Sequence, residues 1–298
     1  MQDLIIIHDP SYEGWVFDQH HPTQGRRFIN GYNTLVTHAN AAGLKHATVQ
    51  PIPLHPTQLE AVHTKKYIAQ VIGDSVSGEW RGERRDLASL ANLFAGGTML
   101  GADLLRTGEA MTVAHLPGAK HHAMADHSSG FCVFADFALA ALDLAKMDFR
   151  VAIFDVDGHH GDGTEALTYS NDSVLTYSVH QFGIFPGTGL IDEPEKQVFN
   201  WPLMEGDGDR ALRHATLDFV QQARSFKQHF IFVAGGADGH RLDPLTGLDY
   251  TVEGLEESMR IVRSVFPDTP VLFGGAGGYQ PDGATPLAWA RMVTALAV

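Results

Sequence analysis

Short apolar runs and amphipathic segments alternate along this chain, and the alternation limits the folds open to it more than any other feature. Runs rich in β-branched and aromatic residues lie at Leu4–His8, Ala110–Ala114, Arg150–Asp155, Ser173–Val179, Phe230–Ala234 and Pro270–Gly274. Their length and composition are those of buried strands. Among them are segments of helical period, at Asp86–Leu105, Phe131–Ala145, Asp209–Phe226, Val252–Val265 and Pro286–Leu296. The expected fold is therefore α/β: a mostly parallel multi-stranded sheet flanked by helices on both faces. Open sheets of this kind bind ligands beyond the carboxyl ends of their strands. The unusual motifs of this chain all follow directly after predicted strands, which points to one site at one end of the sheet.

No repeat, low-complexity tract or linker interrupts the sequence, so residues 1–298 read as a single domain. With 44% apolar and 19% charged residues, the composition is that of a folded globular chain. No apolar run approaches the ~20 residues that a bilayer requires. The start, Met1 to His8, lacks the basic region and cleavage site of a signal peptide. The expectation is a cytoplasmic protein with no membrane partner. Its single cysteine, Cys132, excludes an internal disulfide and reads as an inert buried thiol. A formal net charge of −14 argues against nucleic acid as a partner and favours cationic substrates through steering. Homo-oligomerisation stays open.

The stretch Asp155-Val-Asp-Gly-His-His-Gly-Asp-Gly163 follows the apolar Val151–Phe154. Side chains alternate along a strand, so Asp157 and His159 are expected on one face. A carboxylate and an imidazole make two of the three protein ligands of a catalytic metal site, whose fourth position stays open for water. Asp238 ends another strand, Phe230-Ile-Phe-Val-Ala-Gly-Gly-Ala-Asp238, and is the candidate third ligand. The loop Pro117-Gly-Ala-Lys-His-His-Ala123 offers His121 and His122 for general acid–base work, although in isolation these could be surface histidines. Gly274-Gly-Ala-Gly-Gly-Tyr279 ends a strand in glycines and presents a tyrosine; it lacks the Lys-Ser/Thr of a P-loop. Phe185-Pro-Gly-Thr-Gly189 follows Ser178-Val-His180. His20, His21, His127 and His240 belong to loops that either line a site rim or face solvent.

Between residues 112 and 280 these motifs stand in collinear order: His121-His122, Ser129-Gly-Phe-Cys132, Asp155 to Asp162, Phe185 to Gly189, Ala237-Asp238 and Gly277-Gly-Tyr279. In this the sequence resembles the zinc-dependent histone deacetylase family, which includes acetylpolyamine amidohydrolases and acetoin-utilisation proteins. The resemblance implies zinc, or iron(II) in its place, held by Asp157, His159 and Asp238. It implies that His121 and His122 share the roles of general base and acid, oriented by Asp155 and Asp162. Tyr279 would donate its hydroxyl to the substrate carbonyl. Phe131 and Phe185 would wall a narrow tunnel, with Gly130 and Leu245 beside them. A structural potassium ion would lie among Asp155, Asp157, His159, Ser178 and Val179.

The implied reaction is removal of a short acyl group, most simply acetyl, from an N-acylated amine such as acetyl-lysine. Polyamine-selective members commonly place an acid near the tunnel mouth. At one such position, seven residues beyond Asp238, this chain has Leu245. Acetylpolyamine or other small-metabolite deacetylation stays as an alternative, as does a non-catalytic acyl-group sensor. A binuclear manganese ureohydrolase is a further alternative, although its usual Asp-Ala-His-x-Asp run is absent. The N-terminal hundred residues carry little of the family signature. An element that reads His-Pro-Glu-Arg-Pro in many members is here His21-Pro-Thr-Gln-Gly-Arg-Arg27. The short tail after the last motif reads as a bare catalytic domain of prokaryotic kind.

Overall fold

A computed structural model describes residues 1–298. Its strands are β1 (Gln2–Ile7), β2 (His46–Val49), β3 (Ala110–His115), β4 (Val151–Asp155), β5 (Val174–Gln181), β6 (Val198–Leu203), β7 (Phe230–Ala234) and β8 (Val271–Gly274). They form one 8-stranded sheet in the order β2-β1-β3-β8-β7-β4-β5-β6, with every neighbouring pair parallel. The helices are α1 (Arg26–Ala41), α2 (Pro56–Leu59), α3 (Lys65–Ile68), α4 (Arg85–Arg106), α5 (Asp136–Ala145), α6 (Asp162–Thr168), α7 (Asp209–Phe226), α8 (Val252–Val265) and α9 (Ala284–Ala297). The α/β architecture expected from the alternation is present.

The two faces of the sheet follow from the period of two along each strand. Leu4, Ile6, Ala152, Phe154, Ile231, Val233, Val271 and Phe273 turn to one face, where they join the residues of α1, α7, α8 and α9 in the larger core cluster. Ile5, Ile7, Val151, Ile153, Phe230, Phe232 and Leu272 turn to the other and pack with α5 and the C-terminal half of α4. Strands buried on both sides need continuous apolar runs, which is why the central strands were visible in the sequence. Phe154 of β4 stacks on Phe219 of α7 with ring centroids 4.2 Å apart. Such a pair contributes ~0.5–1.5 kcal/mol beyond the area it buries.

Several elements differ from expectation. Of the edge strands, β2 carries weak apolar signal and is only partly buried, whereas β6 is apolar at Val198, Phe199, Trp201 and Leu203 but is interrupted by Asn200 and Pro202, which a sheet edge tolerates. Helix α1 contains Asn30-Gly31, a pair that reads as a turn. Gly31 is instead a contact point, because a Cβ there would stand 2.8 Å from Leu116 Cδ1 and 2.9 Å from Trp289 Cε3. The segment from Phe131 is not helical until Asp136, since residues 129–132 close a tight turn. Trp289 fixes α9 to the strand ends near the site: its Nε1–H lies 3.1 Å from the Gly235 carbonyl and 2.9 Å from that of Gly275.

Candidate active site

The four adjacent central strands β3, β8, β7 and β4 each deliver one motif at their carboxyl ends: His121-His122, Tyr279, Asp238 and Asp157-Gly-His159 respectively. Asp157 and His159 converge for a reason other than strand alternation. Regular β-structure ends at Asp155, and the chain then bends, with Asp157 N–H on Asp155 Oδ1 (3.0 Å) and His159 N–H on Asp157 Oδ1 (3.0 Å). Two successive Asx-type bonds thus turn both side chains inward.

Asp157, His159 and Asp238 offer three ligand atoms within 4.8 Å of one another. The outer oxygens of the acids are held by main-chain N–H groups, Asp157 Oδ2 by Gly277 (2.6 Å) and Asp238 Oδ1 by Gly158 (2.7 Å). That leaves Asp157 Oδ1 and Asp238 Oδ2 facing His159 Nδ1, at 3.3 Å and 2.7 Å. Gly277 is needed for this approach: a Cβ there would stand 2.6 Å from Asp157 Oδ2 and 2.7 Å from Asp238 Oδ2. Both acids are fully buried. Two carboxylates side by side in a buried pocket repel each other unless a cation lies between them. The field is strong: burial opposes charge on His159, but the Asp157 and Asp238 carboxylates outweigh it and raise the imidazole to about 11. Oxygen and imidazole donors with this field fit a divalent ion such as zinc or iron(II).

The tandem histidines sit at the edge of this cluster with their rings 4.0 Å apart. His121 Nδ1 is 2.7 Å from Asp155 Oδ2, and His122 Nδ1 is 2.6 Å from Asp162 Oδ1. Their environments push them in opposite directions. Burial opposes charge on His121, yet Asp155 and Asp157 overcome it and raise the ring to about 9. For His122, burial and the neighbouring positive His121 prevail over Asp162 and lower the ring to about 4. Tyr279 is pushed well above the ordinary phenol range by burial, so its hydroxyl keeps its proton.

A cavity of about 360 Å³ opens above these groups, lined by His122, Gly130, Phe131, His159, Phe185, Leu245 and Tyr279. Phe185 is half exposed, as expected at a mouth, and its ring lies 5.0 Å from that of His122. Phe131 packs edge-on to Tyr279 at 5.9 Å. Thus the structure brings Gly130, Phe131, Phe185 and Leu245 together around one channel that leads to the cluster. His21 stands behind Phe131, ring to ring at 4.5 Å, whereas His20 and His127 are exposed and His240 is buried in its own loop. Asp155 and Ser178 are register partners on β4 and β5, and Val179 follows Ser178. Nearby, the carbonyls of Asp157 and His159 accept no hydrogen bond from the chain.

Several supporting residues had no signature in the sequence. Asp136 at the start of α5 accepts the N–H groups of Ala119 (3.0 Å) and Lys120 (2.7 Å), which fixes the loop just before His121. Asp243 Oδ2 accepts from Tyr279 N–H at 2.7 Å, and its Oδ1 from Leu245 N–H at 3.1 Å. Buried Arg27 donates to the Gly278 carbonyl at 2.7 Å.

With this geometry in view, the family model for the histone deacetylase domain matches residues 21–296. The chain belongs to the histone deacetylase family. Among its relatives is the acetoin utilization protein AcuC of Bacillus subtilis, 33% identical over 98% of this chain and 81% of that one. The AcuC protein of Staphylococcus aureus strain MRSA252 is 34% identical over 76% of this chain, an alignment that spans 60% of the relative's length. In three dimensions the fold superposes on the crystal structure of the HDA15 HD domain with a TM-score of 0.86 and 26% identity, covering 98% of this chain and 88% of that one. At the level of the family, the activity is that of a deacetylase and hence a hydrolase. No helix is long and apolar enough to cross a membrane.

Proposed function

We propose that residues 1–298 form one catalytic domain that hydrolyses a short-chain N-acyl amide, with acetyl-lysine or a similar acylated amine as substrate. The observation that carries this reading is the convergence of a three-donor cluster, two carboxylate-paired histidines and a buried tyrosine at the floor of an aromatic-walled channel. A divalent ion held by Asp157, His159 and Asp238 supplies carbonyl polarisation and a more acidic water. Phe131 and Phe185 sandwich the aliphatic stem of the acylated amine and exclude solvent. His122 donates its Nδ1–H to Asp162, which leaves Nε2 as the base that takes a proton from the attacking water and passes one to the departing amine. Help of this kind is worth ~10²–10⁴-fold. His121, held by Asp155, stabilises negative charge that develops beside it. Tyr279 donates its hydroxyl to the developing oxyanion from a position fixed beforehand.

The open carbonyls of Asp157 and His159, with Asp155 and Ser178 alongside, support a structural potassium site under the catalytic cluster. Leu245 on the channel wall supports a peptide or small acyl-amine over a dedicated polyamine substrate. The test is turnover by zinc-loaded protein of acetyl-lysine and trifluoroacetyl-lysine peptides, acetylputrescine and acetylspermidine, with Asp157→Ala as control. Peptide turnover that the variant abolishes supports the reading. A preference for the acetylated polyamines overturns the inference from Leu245, and no turnover at full metal occupancy overturns the enzyme.

A further inference from the structure

The channel wall contains an energetically awkward turn. Ser129 and Cys132 exchange backbone hydrogen bonds, Ser129 N–H on the Cys132 carbonyl at 3.1 Å and the reverse at 2.8 Å. The two residues between them both have positive φ, +53° at Gly130 and +65° at Phe131. Reciprocal bonds around two left-handed residues are the mark of a type I′ turn, which normally takes Asn-Gly or Gly-Gly. Glycine serves the first position without penalty, and it must be glycine here, because a Cβ would stand 2.3 Å from His122 Cδ2. Phenylalanine at the second position is strained, and such strain persists only where the surroundings over-determine it.

One group meets that need from far along the chain. Glu79 Oε2 accepts the Phe131 N–H at 2.9 Å, 52 residues away in sequence. Its own segment is tied to the same loop, with Ser77 Oγ–H on Ser128 Oγ at 2.8 Å and Gly78 N–H on Ser128 Oγ at 3.1 Å. Phe17 and His21 close in from the side, their rings 6.4 Å and 4.5 Å from that of Phe131. Glu79 is half-buried, and a charge-assisted bond to a main-chain amide in that setting is one of the stronger fixings a loop can have. Nothing in the chemistry at the channel floor uses this carboxylate.

We infer that Glu79 is a positioning residue for the substrate channel, holding Phe131 in its left-handed conformation so that its ring stands as a wall opposite Phe185. The inference rests on the proposed acyl-amine channel, and two measurements separate its failure from failure of that reading. The first is steady-state kinetics on an acetyl-lysine peptide for wild type, Glu79→Ala and Glu79→Gln. Glu79→Ala should raise KM about tenfold, with kcat within about threefold. Glu79→Gln, which keeps an oxygen acceptor for the amide, should stay within about threefold of wild type in both. Equal damage from alanine and glutamine, or a loss confined to kcat, overturns the assignment.

The second is a thermal-unfolding cycle that needs no turnover. Glu79→Ala should lower Tm by about 2–4 °C in the Phe131→Gly background, which keeps the amide but has no left-handed strain to relieve, and by clearly less in the wild-type background, where release of that strain offsets part of the lost bond. An equal drop in both backgrounds makes Glu79 an ordinary structural acid and overturns the proposal, whatever the substrate proves to be.

Discussion

The hydrogen bonds that hold Tyr279 run through its backbone: its N–H donates to Asp243 (2.7 Å), and the preceding carbonyl of Gly278 accepts from Arg27 (2.7 Å). Its ring packs against Phe131 alone among the channel aromatics, and its hydroxyl stays protonated across the working range. Replacement by phenylalanine keeps the packing and removes only the donor. We therefore expect Tyr279→Phe to lower kcat by ~10²–10³-fold. Affinity for a substrate-like peptide, measured by isothermal titration on the slow variant, should change by less than about threefold; weaker binding instead would make the hydroxyl a ground-state contact. The groups that bear the chemistry were legible because each is a polar residue placed just beyond an apolar strand. The acids Asp155 and Asp162 that orient the histidines were legible as well, since they stand in the same run, but the residues that position the site through its backbone were not. Glu79, Asp136 and Asp243 act on main-chain amides, and Arg27 on a carbonyl 251 residues away. A backbone partner leaves no residue-type signature.

His63 shows how connections between elements hold the site. It lies between the short helices α2 and α3, with Nδ1–H on the Met124 carbonyl (2.9 Å), while its Nε2 accepts the Ala135 N–H (3.0 Å) just ahead of α5. It therefore staples the start of α5 to the loop that carries His121 and His122. Both ring nitrogens are committed to the neutral tautomer, and burial, against the two carbonyls, lowers the ring to about 4. The sign follows by linkage. A histidine with a depressed folded-state pKa binds its proton more readily when unfolded, so its contribution is whole above about pH 6.5 and is lost as pH falls towards 4. Urea unfolding at fixed pH should show the advantage of wild type over His63→Gln shrinking by roughly 1.4 kcal/mol per unit between those limits. A constant difference would mean that the ring is not held neutral. At this scale the sequence reading succeeded where strands are buried on both faces. It missed β2, where an edge requires no apolar run, β6, where Pro202 argues against a strand, and α1, where Gly31 serves a helix contact but reads as a turn. The bend after Asp155 was missed too, since main-chain N–H groups there donate to aspartate carboxylates instead of a strand ladder.

Two properties belong to the molecule as a whole. Its central strands all end at one cluster of buried acids, so the ion proposed there links β3, β4, β7 and β8 through the groups around it. Chelation should abolish turnover and lower Tm together, since a ligand at 100 times its Kd stabilises the folded state by ~2.7 kcal/mol. Zinc should restore both in wild type and neither in Asp157→Ala; restored Tm in that variant would place the stabilising ion elsewhere. The other property is charge. The formal net charge of −14 surrounds a channel whose lining is mostly uncharged, so selection among acylated amines has a long-range part and a contact part. The long-range part is a property of the summed field: it raises the encounter rate of cationic substrates and fades once the Debye length, ~10 Å at 0.1 M salt, falls below the width of the mouth. Two acetyl-lysine peptides that differ only in flanking lysines or glutamates separate the parts. At low ionic strength kcat/KM should favour the lysine-flanked peptide by about tenfold, a range that steering readily supplies. By about 0.5 M salt the ratio should approach unity, with kcat itself unchanged throughout. A ratio that persists at high salt would instead locate the preference in a specific contact at the channel mouth.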